Sequence, residues 1–183
     1  MSTTRKSLIY LTGFMGSGKS TVGPILANTL GYSHIDIDEE VERVAGKKVS
    51  EIFHDHGEAC FRKIEHQVLE DVSRTALRVI SLGGGTITVP SNLTIAKSTG
   101  IVIYLKTDVD HIFRRMKHKA DRPLLRTGEG VPLSDQELLK RINDILEVRE
   151  QFYNQADITI DTNDRRVGVT VDDIVRALAG RIE

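Results

Sequence analysis

Gly13-Phe14-Met15-Gly16-Ser17-Gly18-Lys19-Ser20 fits the pattern G-x-x-x-x-G-K-[ST] at every fixed position, and it constrains the fold more than any other stretch of the chain. An apolar run over Ser7–Thr12 leads into it and a helical stretch over Lys19–Leu30 leads out, so the order is strand, loop, helix. Glycines in such a loop let successive backbone N–H groups turn toward one anion. The helix that follows adds the positive end of its dipole. Gly16, Ser17 and Gly18 then form a cradle for nucleotide phosphates, and Lys19 reaches the β- and γ-phosphates. The Ser20 hydroxyl suits Mg²⁺, and Thr21 falls near the α-phosphate. A chance glycine-rich turn is the bland alternative, and the matched strand–loop–helix context weighs against it. No N-K-x-D guanine motif follows any strand, which argues for ATP.

The rest of the chain alternates apolar runs with helical stretches. Strands are expected at Ser33–Asp36, Arg78–Leu82, Ile101–Leu105 and Ile158–Asp161. Helices are expected at about Glu39–Ala45, Gly57–Thr75, Asn92–Ser98, Val109–Lys117, Asp135–Asn154 and Val171–Ile182, with a short turn near Ser50–His54. Nearly continuous apolar strands separated by helices predict a five-stranded, doubly wound parallel α/β sheet with helices on both faces. Ligands of such a fold sit at the carboxyl ends of the strands.

The 183 residues suit one domain, residues 1–183. A formal net charge of −1 recruits neither nucleic acid nor an anionic membrane. Cys60 is the single cysteine, so a reducing compartment is the natural reading. The apolar stretch Leu8–Leu11 is too short for a signal-peptide core, and no apolar run nears the ~20 residues that span a bilayer. These features predict a cytoplasmic protein, expected to be a monomer. The six histidines show no metal-ligand spacing.

Three further clusters carry chemistry. Asp36 and Asp38 stand at alternate positions at the end of a strand, where both side chains can face the phosphate loop. One could hold a Mg²⁺-bound water and the other accept a proton from an attacking hydroxyl, although a helix cap with an acidic first turn fits equally well. Arg62 and Glu65 lie three apart on a helix, so the glutamate can hold the guanidinium. Gly83, Gly84 and Gly85 directly follow a strand, which lets a ligand approach the backbone closely.

Taken in order, G-F-M-G-S-G-K-S-T, D-I-D, F-R-K-I-E, G-G-G, R-P-L-L and R-E-Q-F-Y resemble the shikimate kinase family over nearly the whole chain. The resemblance implies that the chain phosphorylates the 3-hydroxyl of shikimate with Mg·ATP, a step of aromatic amino-acid biosynthesis. It implies that Asp38 orients or deprotonates the acceptor and that Asp36 serves Mg²⁺ through water. Arg62 and Arg149 would clamp the shikimate carboxylate, with the glycine run centred on Gly84 closing around the ring. Arg122 would come from a lid at about residues 118–133, and residues 36–78 would form the substrate-binding region. Arg115 and Arg165 would pack around adenine. The chain departs from the family pattern at Gln151, where many relatives carry proline, and in Asp161–Val167, which lacks the proline often found there. The alternatives are a related small-molecule kinase, such as one for gluconate, and a kinase-like domain kept for binding or regulation.

Overall fold

The computed structural model describes residues 6–117 and 133–182. Strand β1 (Leu8–Thr12) runs up the middle of the molecule with all five residues buried. It is flanked by β3 (Arg78–Ser81) and β4 (Ile101–Lys106), with β2 (Ser33–Asp36) and β5 (Ile158–Asp161) at the edges. The order is β2-β3-β1-β4-β5, and every pairing is parallel. This is the expected five-stranded doubly wound sheet. β1 can be apolar at every position because side chains on both faces enter a core.

Leu8 and Tyr10 point into one core with Ile80, Val102 and Tyr104, whereas Ile9 and Leu11 point into the other with Val79, Ile103 and Leu105. Helices α1 (Lys19–Leu30) and α7 (Val167–Leu178) cover the second face. The first face is covered by α2 (Ile37–Ala45), α3 (Val49–Val72), α4 (Pro90–Thr99), α5 (Val109–Met116) and α6 (Asp135–Tyr153). A short 3₁₀ turn, Thr86–Thr88, follows the glycine run.

Several boundaries differ from the sequence reading. The turn near Ser50 and the helix from Gly57 are joined as α3, which kinks at Gly57, where φ is 77°. Helix α7 begins at Val167, four residues earlier than expected, despite Gly168 and three valines. Burial of Thr170, Val171 and Ile174 overrides weak local propensity there. Asp36 and Asp38 do not share one extended strand, because β2 ends at Asp36 and α2 starts at Ile37. Among the described residues, no helix is long and apolar enough to cross a membrane.

Candidate active site

The carboxyl ends of β1, β2 and β3 open on a cleft of about 370 Å³. Residues 15–22 form its floor and Asp36, Asp38, Gly83 and Gly84 one wall, while Arg115, Thr162 and Arg165 form the opposite end. Gly16 and Gly18 hold φ values of 82° and 104°, which side chains disfavour, so the backbone can wrap the start of α1. Gly18 is the N-cap of α1 and Ser20 lies in its first turn, so their amides stand at the helix end where N–H groups lack intrahelical carbonyls. No acidic residue occupies that turn, so its positive end faces the cleft unopposed. Ser17 also lines the cleft. Its side chain is buried and its amide donates to the Phe14 carbonyl at 3.1 Å. Lys19 Nζ donates to the carbonyls of Gly13 at 2.7 Å and Phe14 at 3.1 Å, which keeps its charge at the loop.

Asp36 caps α2 and also lines the cleft. Its Oδ1 accepts from the amides of Asp38 at 2.9 Å and Glu39 at 3.4 Å, capping α2, while the carboxylate still lines the cleft. Capping through one oxygen leaves the second as an acceptor, and with the Ser20 hydroxyl this gives hard oxygen donors of the kind that suit Mg²⁺. Asp38 follows in the first turn of α2 and also faces the cleft.

The glycine run is where the acceptor residues meet. A Cβ at Gly83 would lie 2.9 Å from Asp38 Oδ1, one at Gly84 3.2 Å from Arg149 Nη1, and one at Gly85 2.6 Å from Arg62 Nη2. None of these three glycines has a positive φ, so what a side chain at Gly83 or Gly85 would meet is crowding by Asp38 or Arg62, not backbone strain. Arg62 Nη1 donates to Glu65 Oε2 at 2.7 Å, and the Thr86 hydroxyl donates to the other oxygen of Glu65 at 2.6 Å. Glu65 is fully buried. Burial by itself would lower the pKa of Arg62, but Glu65 and then Glu58 raise it overall, so the guanidinium stays charged. It also lies over the Phe61 ring, 5.2 Å from the centroid.

At the other end, Arg115 donates to the Gly16 carbonyl at 2.8 Å and to the Thr162 carbonyl at 3.4 Å. It thereby ties the phosphate loop to the β5–α7 connection. Arg165 lines the cleft and is ion-paired to Asp173 of α7.

A family model described as shikimate kinase matches residues 15–179. The chain belongs to the shikimate kinase family. A shikimate kinase of Chlorobium chlorochromatii is 45% identical over 172 residues, which cover 94% of this chain and 90% of the relative. Shikimate kinase from Acinetobacter baumannii, solved in complex with shikimate, shares 34% identity at a TM-score of 0.86, covering 95% of this chain and 93% of that one. Shikimate kinase from Bacteroides thetaiotaomicron gives a TM-score of 0.85 at 34% identity, covering 94% and 98%.

Membership of the shikimate kinase family makes the chain an ATP-using enzyme and sets aside the gluconate and non-catalytic readings. Arg122 and residues 118–132 of the expected lid lie outside the described residues. All the other singled-out residues of this kinase come together around one cleft or the glycine run beside it. The sequence reading gave no role to Thr86 or to Tyr153, whose hydroxyl donates to the Gly84 carbonyl. For Tyr153 a signal existed, because residues four apart on a helix share a face and Arg149 is four before it. Thr86 carried none, since its partner Glu65 is 21 residues away.

Proposed function

We propose that this kinase transfers the γ-phosphoryl group of ATP to the 3-hydroxyl of shikimate, giving shikimate 3-phosphate and ADP. The observation that carries the reading is the glycine run, where Asp38, Arg149 and Arg62 each approach one of three consecutive glycines beside the phosphate loop. Two guanidinium forks suit a carboxylate, which can accept from each in a bidentate way. The neighbouring Asp38 carboxylate suits a hydroxyl that must be oriented and relieved of its proton during attack. A ring acid held by its carboxylate at Gly84–Gly85 would present a hydroxyl to Asp38 and, beyond it, to the phosphate loop.

The chain's own groups divide the work. The amides of Gly16, Gly18 and Ser20 bind phosphate oxygens, and Lys19 swings from the loop carbonyls to the β- and γ-phosphates. Ser20 and, through water, Asp36 hold Mg²⁺, which when bound neutralises charge on the transferring group. Arg115 and Arg165 border the adenine. Arg122, outside the described residues, would supply a further cation to the transferring group. The kinase is expected to act as a monomer, and the single cysteine supports a cytoplasmic setting.

The test keeps charge and removes the fork. Arg62→Lys and Arg149→Lys should each raise the KM for shikimate about tenfold or more, as expected when one charge-assisted hydrogen bond is removed. The KM for ATP should change little. Unchanged shikimate KM in both variants refutes the clamp.

A further inference from the structure

Tyr153 ends α6 with its side chain fully buried. Its ring packs against Tyr104 of β4, with centroids 5.0 Å apart. Its hydroxyl donates to the Gly84 carbonyl at 2.5 Å, and the Arg149 guanidinium lies beside them, with Nη1 3.2 Å from where a Gly84 Cβ would stand. A phenol has one proton to give, a carbonyl can only accept, and a guanidinium can only donate. With its proton given to the Gly84 carbonyl, the phenol oxygen turns only lone pairs toward Arg149, so a bonded chain can run in one direction alone, from Arg149 through Tyr153 to Gly84. Such a chain, headed by a cation and shielded from water, is stronger than its separate bonds. Burial pushes the Tyr153 pKa up, against the smaller opposing pull of Arg149, so the proton that the chain requires stays on the phenol.

We propose that Tyr153 is a positioning residue for the acceptor's carboxylate: one hydroxyl fixes Arg149 against Gly84 and so sets the half of the clamp that Arg149 supplies. Neither of its hydrogen bonds runs to the phosphate loop. A purely packing role would leave the hydroxyl dispensable, because the ring alone fills the space beside Tyr104. The inference rests on the reading of Arg149 as a carboxylate ligand.

Tyr153→Phe keeps the ring and removes only the hydroxyl. With a folded variant checked by circular dichroism, we expect the KM for shikimate to rise about ten- to thirtyfold, the effect of removing one hydrogen bond to a charged group. The KM for ATP should stay within about twofold, since the hydroxyl's bonds end on Gly84 and Arg149. In an Arg149→Lys background the same change should add less than about threefold, because the effect passes through Arg149. Tyr104→Phe alters the same stacked pair without touching Gly84 or Arg149 and should leave both constants unchanged. An unchanged shikimate KM in Tyr153→Phe, equal shifts for both substrates, full additivity with Arg149→Lys, or the same shikimate-selective loss in Tyr104→Phe would each overturn the proposal. If Arg149→Lys raises the shikimate KM and Tyr153→Phe does not, this inference alone fails. If Arg149→Lys itself has no effect, the clamp falls and the inference with it.

Discussion

A Cβ on Gly85 would lie 2.6 Å from Nη2 of Arg62, closer than any relaxed approach, so the missing side chain at 85 leaves room for the guanidinium where it stands. Gly85→Ala should push Arg62 aside and raise the KM for shikimate at least about tenfold, the scale of one charge-assisted hydrogen bond. Gly85 adopts a φ of −110°, which alanine also tolerates, so the backbone should not be strained. Steady-state kinetics should therefore show a selective loss on the shikimate side. A matching rise in the KM for ATP would mean that the run serves the nucleotide instead.

Glu65 uses both carboxylate oxygens, one for Arg62 and one for Thr86. Glutamine can accept from Arg62 and donate to the Thr86 hydroxyl, which also accepts, but in Glu65→Gln the negative charge that balances the guanidinium is lost. Because the site is fully buried, the cost should be about 1.5–3 kcal/mol of folding stability. Arg62 would also be without its orienting partner, so shikimate binding should weaken together with stability. Chemical denaturation and shikimate titration of the same variant check both. Reduced stability with normal shikimate binding would confine Glu65 to the core.

The fold was legible because its signals are local and redundant. Leu8–Thr12 is apolar throughout its first four residues, and so is most of Ile101–Lys106, as central parallel strands require. The phosphate loop was legible for the same reason, since eight contiguous residues carry it. What the sequence hid are interactions across distance. The Tyr153 hydroxyl finds Gly84 across 69 positions, and the Thr86 hydroxyl finds Glu65 across 21. Asp36 was open between cap and ligand because the same carboxylate chemistry serves both, and only the start of α2 at Ile37 resolves that it caps. The family resemblance supplied Arg149, which no local pattern singles out.

His34 on β2 sits with Nε2 3.0 Å from the Ser81 hydroxyl, pressed against Gly23 of α1, where a Cβ would meet that nitrogen at 2.5 Å. Burial lowers its pKa, opposed by the smaller pull of Asp36 and Glu39. A base with a lower pKa folded than unfolded binds fewer protons when folded, so stability is lost as pH falls below the ordinary histidine value of about 6.5. The slope from one proton cannot exceed about 1.4 kcal/mol per pH unit. Denaturation midpoints between pH 7.5 and 5.5 should fall more for the wild type than for His34→Gln. Parallel declines would show that His34 contributes nothing to acid sensitivity.

Lys19 is held at the loop by two carbonyls and supports none of the apolar core. Lys19→Ala should keep its unfolding midpoint close to that of the wild type while turnover falls at least ~10²-fold, as when one preorganised charge-stabilising group is deleted. Thermal unfolding and single-turnover phosphoryl transfer separate the two effects. A folded Lys19→Ala protein with near-normal turnover would remove the phosphate-loop assignment.

One cleft joins a nucleotide phosphate cradle to a site suited to a carboxylated ring alcohol. ADP release from Mg·ATP, measured across shikimate, quinate, gluconate and nucleoside monophosphates, tests that pairing most directly. The geometry at Asp38, Arg62, Arg149 and Gly83–Gly85 predicts that shikimate has the highest kcat/KM of the panel and that the product carries phosphate on the 3-oxygen. A higher kcat/KM for gluconate or a nucleoside monophosphate, or ADP release that shikimate does not stimulate, would contradict it.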